Sequence, residues 1–467
     1  MTRTLPITGA ILMLALASAC GSKLQKAGGS VQPQLSYTPA GCNYTVWTPW
    51  GVANPKQLGS AGTPLTMAPL HVHASFAGDP SSTFAVNWKA EPGATLVQIL
   101  YGTDKSAVSS ATAAGSGVNL QNGHSFDIIS AQDGTSLAVH IQEAHVCGLT
   151  PATTYYYKVG NTGAFSDVYS VTTAPPVGST TEFKFATAGD ARDDPNTFAQ
   201  AEADMAARGP AFEVFSGDAV DVGAEQYEWD QLFEASASNV TVQSVLASLP
   251  FMTTNGNHEN LALNFLGQFA LPQQAGGGED DTGGQGHPTE KAWYSFNYGN
   301  VHFIVLNDTT VNLITLLGAE KNWLASDLGQ VNRSQTPWII VTHHQPIYSC
   351  DNVHGSDQGL GDAWQPLFDQ YQVDLVLNGH VHNYQRSNPV RGSNVNAPAG
   401  QGTIYVVAGA VGAPLYGYNT GSCAFSETGA TTSNYAIVDV KGNTLTFTAY
   451  DLMGGDVQLD QFTLTKG

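Results

Sequence analysis

Five short apolar runs in this 467-residue chain each stop at a glycine or a polar residue and then present an Asp, an Asn or a His. Residues 183–188 run into Gly189-Asp190, and residues 212–215 into Ser216-Gly217-Asp218. Residues 251–254 lead to Asn255-Gly256-Asn257-His258-Glu259. Residues 338–342 end at His343-His344-Gln345-Pro346, and residues 373–377 at Asn378-Gly379-His380-Val381-His382. The runs have the length and unbroken apolar character of strands buried on both faces. Stretches with helical spacing, residues 198–208, 320–328 and 363–371, fall between several of them. Alternating strands and helices predict an α/β domain, whose ligands bind beyond the carboxyl ends of the strands. Five strand ends carrying oxygen and imidazole donors therefore point to one convergent site. Residues 435–466 return to alternation and are expected to add closing strands.

Taken singly, each of these features is weak. Gly-Asp after a strand is commonly a turn with an Asp helix cap, and Asn255-Gly256 alone is a hairpin signal. Gly379-His380-Val381-His382 says more, because alternate residues of an extended segment point the same way and present two imidazoles together. The order and spacing of all five make coincidence a poor explanation. Aspartates, an asparagine and three histidines are a donor mixture suited to Fe, Zn or Mn. Two such ions roughly 3.5–4 Å apart, joined by a shared carboxylate, clamp phosphoryl oxygens and lower the pKa of a bound water towards ~7.

Ahead of this domain the pattern differs. From His71 to about Thr173, runs beginning at Phe84, Val97, Leu137 and Tyr155 alternate apolar with polar residues between Gly, Asp, Asn and Pro clusters. With no helical stretch among them they predict a β-sandwich over residues 67–175. The segment from Leu149 to Val159, a tyrosine after a Leu-Thr-Pro turn, resembles a late strand of fibronectin type III domains. Ala174-Pro175-Pro176 opens the linker to the α/β domain, which is placed at residues 181–467. Residues 20–66, rich in Gly, Pro, Ser and Gln, read as a tether and irregular extension. Residues 1–19, with Arg3 before a short apolar stretch and Ala17-Ser18-Ala19, read as an export signal. Leu16-Ala17-Ser18-Ala19-Cys20 resembles a bacterial lipoprotein cleavage box, which would leave a lipid anchor on Cys20. Ala17 stands where such boxes usually carry Leu, and the same residues suit an ordinary signal peptidase. Four cysteines remain, with three pairings open; Cys350 and Cys423 both lie in C-terminal loops and are paired first, leaving Cys42 with Cys147.

Charge narrows the partners. Seventeen basic against 38 acidic residues give a net charge of −21, a surface that repels nucleic acid and anionic lipid headgroups. Phosphate esters are repelled too, so phosphate chemistry here needs local positive charge, which bound metal supplies.

The series Gly-Asp, Gly-Asp, Gly-Asn-His-Glu, His-x-Pro-x-Tyr and Gly-His-x-His resembles the calcineurin-like metallophosphoesterases, and among them the purple acid phosphatase family in its long, two-domain form. The likeness covers residues 67–467. It implies an α/β metallophosphoesterase domain with a central β-sandwich flanked by helices, and two metal ions bridged by Asp218. One ion would take Asp190 and His382, the other Asn257, His344 and His380; the family's ligand lies two residues before a proline, which selects His344 over His343. His258 would bind phosphate or protonate the leaving alcohol, and His354 stands near the place of a second substrate histidine. The implied activity is hydrolysis of small phosphate monoesters, with phosphodiesterase or phytase-like activity as alternatives on the same fold. A rival of another class is an inactive surface adhesion or scaffold protein.

Two departures from the family pattern stand out. Where purple acid phosphatases have Gly-Asp-x-x-Tyr, with the tyrosinate that colours the ferric enzyme, this chain has Gly217-Asp218-Ala219-Val220-Asp221. Where other metallophosphoesterases have Asp-x-His, it has Asp190-Ala191-Arg192. Asp221 is the candidate for the missing ligand, or for a group that orients one, and Arg192 is a candidate phosphate contact. A colourless protein is expected.

Overall fold

The computed structural model describes residues 34–57, 62–132, 135–273, 291–309, 318–351, 353–419 and 423–467. The export signal and Cys20 lie outside the described residues.

The N-terminal part is a sandwich of two antiparallel sheets. One runs in the order Ala53–Gln57, His124–Gln132, Thr135–Val146, Phe84–Ala90, Leu70–Ser75. The other is built on Thr154–Asn161 and Gln98–Gly102. Alternating apolar residues explain the pairing of the two layers: Val86 and Trp88 from the first share a core with Ile99, Tyr157 and Val159 from the second. The stretch read as an irregular extension is more ordered than its composition suggests. Ser36–Tyr37 pairs with Val46–Trp47, and Ala53–Gln57 forms the edge of the first sheet. A disulfide between Cys42 and Cys147, with Cα atoms 5.0 Å apart, ties this segment to the sandwich.

The second part is also two packed sheets, but with parallel strands. Phe251–Thr253, Glu213–Phe215 and Phe183–Ala188 run parallel and continue into Asn434–Lys441, Thr444–Asp451 and Val457–Thr465, which are antiparallel. In the other sheet Val301–Val305, Trp338–Thr342, Leu375–Asn378 and Ile404–Ala408 run parallel. Aromatic rings fill the space between the sheets, with Phe185 edge-on to Phe303 at 5.1 Å and Phe296 stacked on Phe303 at 5.0 Å.

Helices cover the outer faces. Pro195–Ala207 starts where Asp194 accepts the backbone N–H groups of Asn196 and Thr197, with proline at its first position. Ala319–Gln330 and Gln358–Tyr371 cover the second sheet, burying Leu324, Leu328, Trp364 and Phe368 against Ile339 and Val341. The sandwich docks directly on the α/β part: Ser75 Oγ donates to the Ala270 carbonyl and Tyr157 Oη to that of Ala247, and one apolar core runs through both. All five strands singled out in the sequence end at one edge of the paired sheets.

Candidate metal centre

Asp190, Asp218 and His380 each follow a glycine at a strand end, and each has a left-handed backbone, φ +59°, +56° and +66°. Non-glycine residues rarely adopt that region, and they do so where a turn must re-aim a side chain at a site. The glycines allow close approach. A Cβ on Gly217 would lie 2.9 Å from Gly256 N and from His344 Nδ1, and a Cβ on Gly256 would collide with Asp218 Oδ1. Loop is thereby packed on loop. His380 N–H donates to Asp190 at 2.9 Å, and His258 N–H to Asp218 Oδ1 at 3.0 Å.

The imidazoles are aimed from behind. His344 Nδ1 lies 2.7 Å from the Ser216 carbonyl and His382 Nδ1 2.6 Å from that of Pro414. A carbonyl only accepts, so each Nδ1 carries a proton, and Nε2 is the ring atom turned inward, free to bind an ion once it gives up any proton of its own. His344 Nε2 is 3.2 Å from Asp218 Oδ2 and 3.0 Å from Asn257 Oδ1. His382 Nε2 is 3.6 Å from Asp190 Oδ1. Ligand atoms of Asp218, His344 and His380 lie within 4.8 Å of one another. Asp218, His344 and His380 thus form one cluster, with Asn257 against His344 and the Asp190–His382 pair beside it. His343, the neighbour, instead points to Asp308 at 2.8 Å and sits edge-on to Trp364.

The charges ask for a cation. Burial, together with the charge of Asp218, pushes Asp190 up to about 7. Burial works against ionised Asp218 too, but His344 holds it below the usual carboxylate range. Burial alone would lower His344; the Asp218 and Asp190 carboxylates outweigh it and drive the imidazole up to about 10. His382, lowered mainly by burial to about 4, stays neutral. Two buried carboxylates therefore call for positive charge at the spot where three imidazole nitrogens and an amide oxygen point. Oxygen and nitrogen donors of this kind fit borderline metal ions.

Of the two places the sequence leaves open for Asp221, ligand or orienting group, the structure sets it outside this group of side chains. Its carboxylate, 46% exposed, lies 3.1 Å from Arg192 and 3.0 Å from His258 Nδ1, on the solvent side. Glu259 is the reason: its buried carboxylate accepts the N–H groups of Asp218, Ala219, Val220 and Gly256, which curls the chain so that Asp221 faces away. Glu259 was part of the Gly-Asn-His-Glu motif, but a role as anchor of four N–H groups was not readable from it. Arg192, paired with Asp193 at 2.7 Å, brings its Nε to 3.8 Å from Asp218 Oδ2, and that Nε makes no hydrogen bond among the described residues. His258 Nδ1 donates to the Asp221 carbonyl at 2.6 Å, and its Nε2 faces Asp218 at 3.8 Å. His354, far along a loop in sequence, stands 4.1 Å ring to ring from His380. Tyr416, which no sequence pattern marked, stacks on His382 at 4.2 Å and lies 5.3 Å from His354.

Two family models match consecutive parts of the chain: the purple acid phosphatase N-terminal domain over residues 69–173 and the calcineurin-like phosphoesterase over residues 164–384. An uncharacterized protein of Mycobacterium tuberculosis is 27% identical over 383 residues, which is 74% of this chain and 66% of that protein. Purple acid phosphatase 1 of Ipomoea batatas is 30% identical over 260 residues, 52% of this chain and 50% of its own. The matched region thus spans only half to about two thirds of these relatives' length. The fold is similar to that of a purple acid phosphatase from yellow lupin seeds, with a TM-score of 0.69 at 19% identity, covering 85% of this chain and 74% of the other. Sequence motifs, site geometry and both matches agree that the chain belongs to the calcineurin-like, purple acid phosphatase-like family of metallophosphoesterases.

Proposed function

We propose that this protein is a phosphoric ester hydrolase that cleaves phosphate monoesters at a dinuclear centre. The observation that supports this reading is the meeting of six ligand-type side chains, buried Asp218 among them, brought together by five strand ends. Bound ions would supply Lewis-acid charge for the phosphoryl oxygens and acidify the attacking water. Asp190 and His382 would hold one ion, Asn257, His344 and His380 the other, with Asp218 between them. The remaining residues act on the ester itself. Arg192, whose Nε lies beside Asp218 and makes no hydrogen bond among the described residues, is placed to donate to a phosphoryl oxygen. His258, its Nδ1–H fixed on the Asp221 carbonyl, turns Nε2 to the site and protonates the leaving alcohol from its imidazolium form. His354 and Tyr416 flank the His380–His382 side.

His344→Ala tests this directly. Metal content should fall and hydrolysis of p-nitrophenyl phosphate should drop by at least about 10³-fold, as for loss of a group central to transition-state charge. Full activity with an unchanged metal complement would overturn the assignment. Comparing p-nitrophenyl phosphate with bis(p-nitrophenyl) phosphate separates the monoesterase from a diesterase. Inactivity under every metal loading would favour the scaffold instead. Disulfides Cys42–Cys147 and Cys350–Cys423 suit an oxidising compartment, and no described helix is long and apolar enough to cross a membrane. We place the protein outside the cytoplasm, held by lipid at Cys20; intact-mass measurement of the native protein tests the anchor.

A further inference from the structure

A second group of ligand-type side chains lies in the sandwich, outside the catalytic centre. His124 opens strand His124–Gln132 and pairs directly with Glu143 on strand Thr135–Val146. His145, two residues on, projects from the same face as Glu143. All three are at most 2% exposed, and their ligand atoms lie within 4.8 Å of one another. The two rings are held in matching fashion. Tyr37 Oη is 2.9 Å from His124 Nδ1, and Tyr44 Oη is 3.0 Å from His145 Nδ1. Both Nε2 atoms consequently face one carboxylate oxygen, Glu143 Oε1, at 3.7 Å for His124 and 2.7 Å for His145. The other oxygen is already engaged: Asn87 Nδ2 donates to Glu143 Oε2 at 2.8 Å, and Lys291 Nζ stands 3.9 Å from it. A proton on His145 Nε2 accounts for the shorter contact. It leaves His124 Nε2 fully buried, aimed at the same oxygen, and without a hydrogen-bond partner among the described residues.

We propose that His124 Nε2, Glu143 Oε1 and His145 Nε2 hold a structural zinc ion. Two imidazoles and a carboxylate are a zinc donor set whose fourth tetrahedral position a water fills. The tyrosine hydroxyls supply the outer acceptors that metal-bound imidazoles ordinarily have on the opposite nitrogen. The ion ties together three parts of the chain: the strand pair of the sandwich, the N-terminal segment that brings Tyr37 and Tyr44 and is stapled by Cys42–Cys147, and Lys291 of the α/β part, which also donates to the Leu266 and Phe269 carbonyls. It is separate from the catalytic ions, so its fate and that of the catalytic reading can be told apart.

The test starts from the full chain carrying His344→Ala and His380→Ala, with the sandwich untouched. Metal-free protein is titrated with Co2+ as the spectroscopic probe. One tight equivalent with intense tetrahedral visible bands, displaced by Zn2+, is expected, and Zn2+ should raise the melting temperature of this variant. Adding His124→Gln or His145→Gln should remove both the bands and the zinc-dependent rise. The proposal is overturned if the variant with an intact sandwich binds no cobalt in such bands, or if the bands survive loss of both histidines in a chain whose far-ultraviolet circular dichroism is unchanged.

Discussion

At the scale of single residues, the centre depends on groups that touch no ion. Glu259 collects four backbone N–H groups from the two loops that carry Asp218 and Asn257. Glu259→Gln replaces one acceptor oxygen with an N–H2 that faces those donors. Metal affinity should fall by roughly 10–100-fold, the usual cost of losing a group that orients a ligand, as read by competition with a chelator. Unchanged affinity would mean that the loops hold their shape without the charge. Gly256→Ala should be harsher, because its Cβ would collide with Asp218 Oδ1; a folded protein with no phosphatase activity is expected, checked by circular dichroism and assay. That the side chains proposed as ligands come together was legible in the sequence, because a strand end fixes where the next residue points. The direction of Asp221, left open between ligand and orienting group, was not, because three residues past Asp218 it depends on hydrogen bonds to a glutamate 38 positions further along. With Asp221 turned to Arg192 and His258, no phenol stands at that position, and iron-loaded protein should lack a strong visible charge-transfer band. A band abolished by Tyr416→Phe would instead make Tyr416 the ligand.

At the scale of elements, the apolar runs located the parallel strands well, and capping residues explain where helices begin beyond the periodic stretch. Asp357 caps Gln358–Tyr371 five residues before the expected helix start at residue 363. The edge strand Ala53–Gln57 was hidden, since it contains Pro55 and takes its order from pairing with a distant strand. What no local pattern could reveal is the meeting of Glu202 on helix Pro195–Ala207 with Glu213 on strand Glu213–Phe215. Both are fully buried, out of reach of other hydrogen-bond partners among the described residues. Burial pushes Glu213 up to about 8, and burial with the charge of Glu213 pushes Glu202 well above its ordinary value. A carboxyl raised in the folded state binds its proton more tightly there than when unfolded. Its stabilising effect is complete below the unfolded value near 4.5 and is lost as pH rises towards about 8, at up to ~1.4 kcal/mol per pH unit for each proton. Urea unfolding of metal-saturated protein should therefore show lower stability at pH 8 than at pH 5. Glu202→Gln should flatten that slope, leaving stability at pH 5 nearly unchanged and raising it at pH 8. An unchanged slope in the variant would show that Glu202 does not carry the pH dependence.

At the scale of the whole molecule, the acidic surface and the proposed binding of a phosphate ester work against each other, and ionic strength decides between them. A net charge of −21 repels a dianionic ester over a distance set by the Debye length, roughly 30 Å at 0.01 M salt and about 8 Å at 0.15 M. The attraction proposed to counter it is short-ranged, from Arg192 and from ions that Asp218 would help to hold. Added salt should screen the far repulsion before it weakens contacts inside the centre. For metal-saturated protein at constant pH, kcat/KM for p-nitrophenyl phosphate should thus rise several-fold between 0.01 and 0.15 M sodium chloride. The change should sit in KM, because kcat reports chemistry after the ester has arrived. A fall in kcat/KM over the same range would give the opposite ordering, with the positive potential of the loaded centre reaching past the acidic rim and steering substrate in. Arg192→Gln separates the two cases further: it should raise KM at every salt concentration while leaving the salt slope intact, since one buried guanidinium changes the local contact and hardly alters the far field.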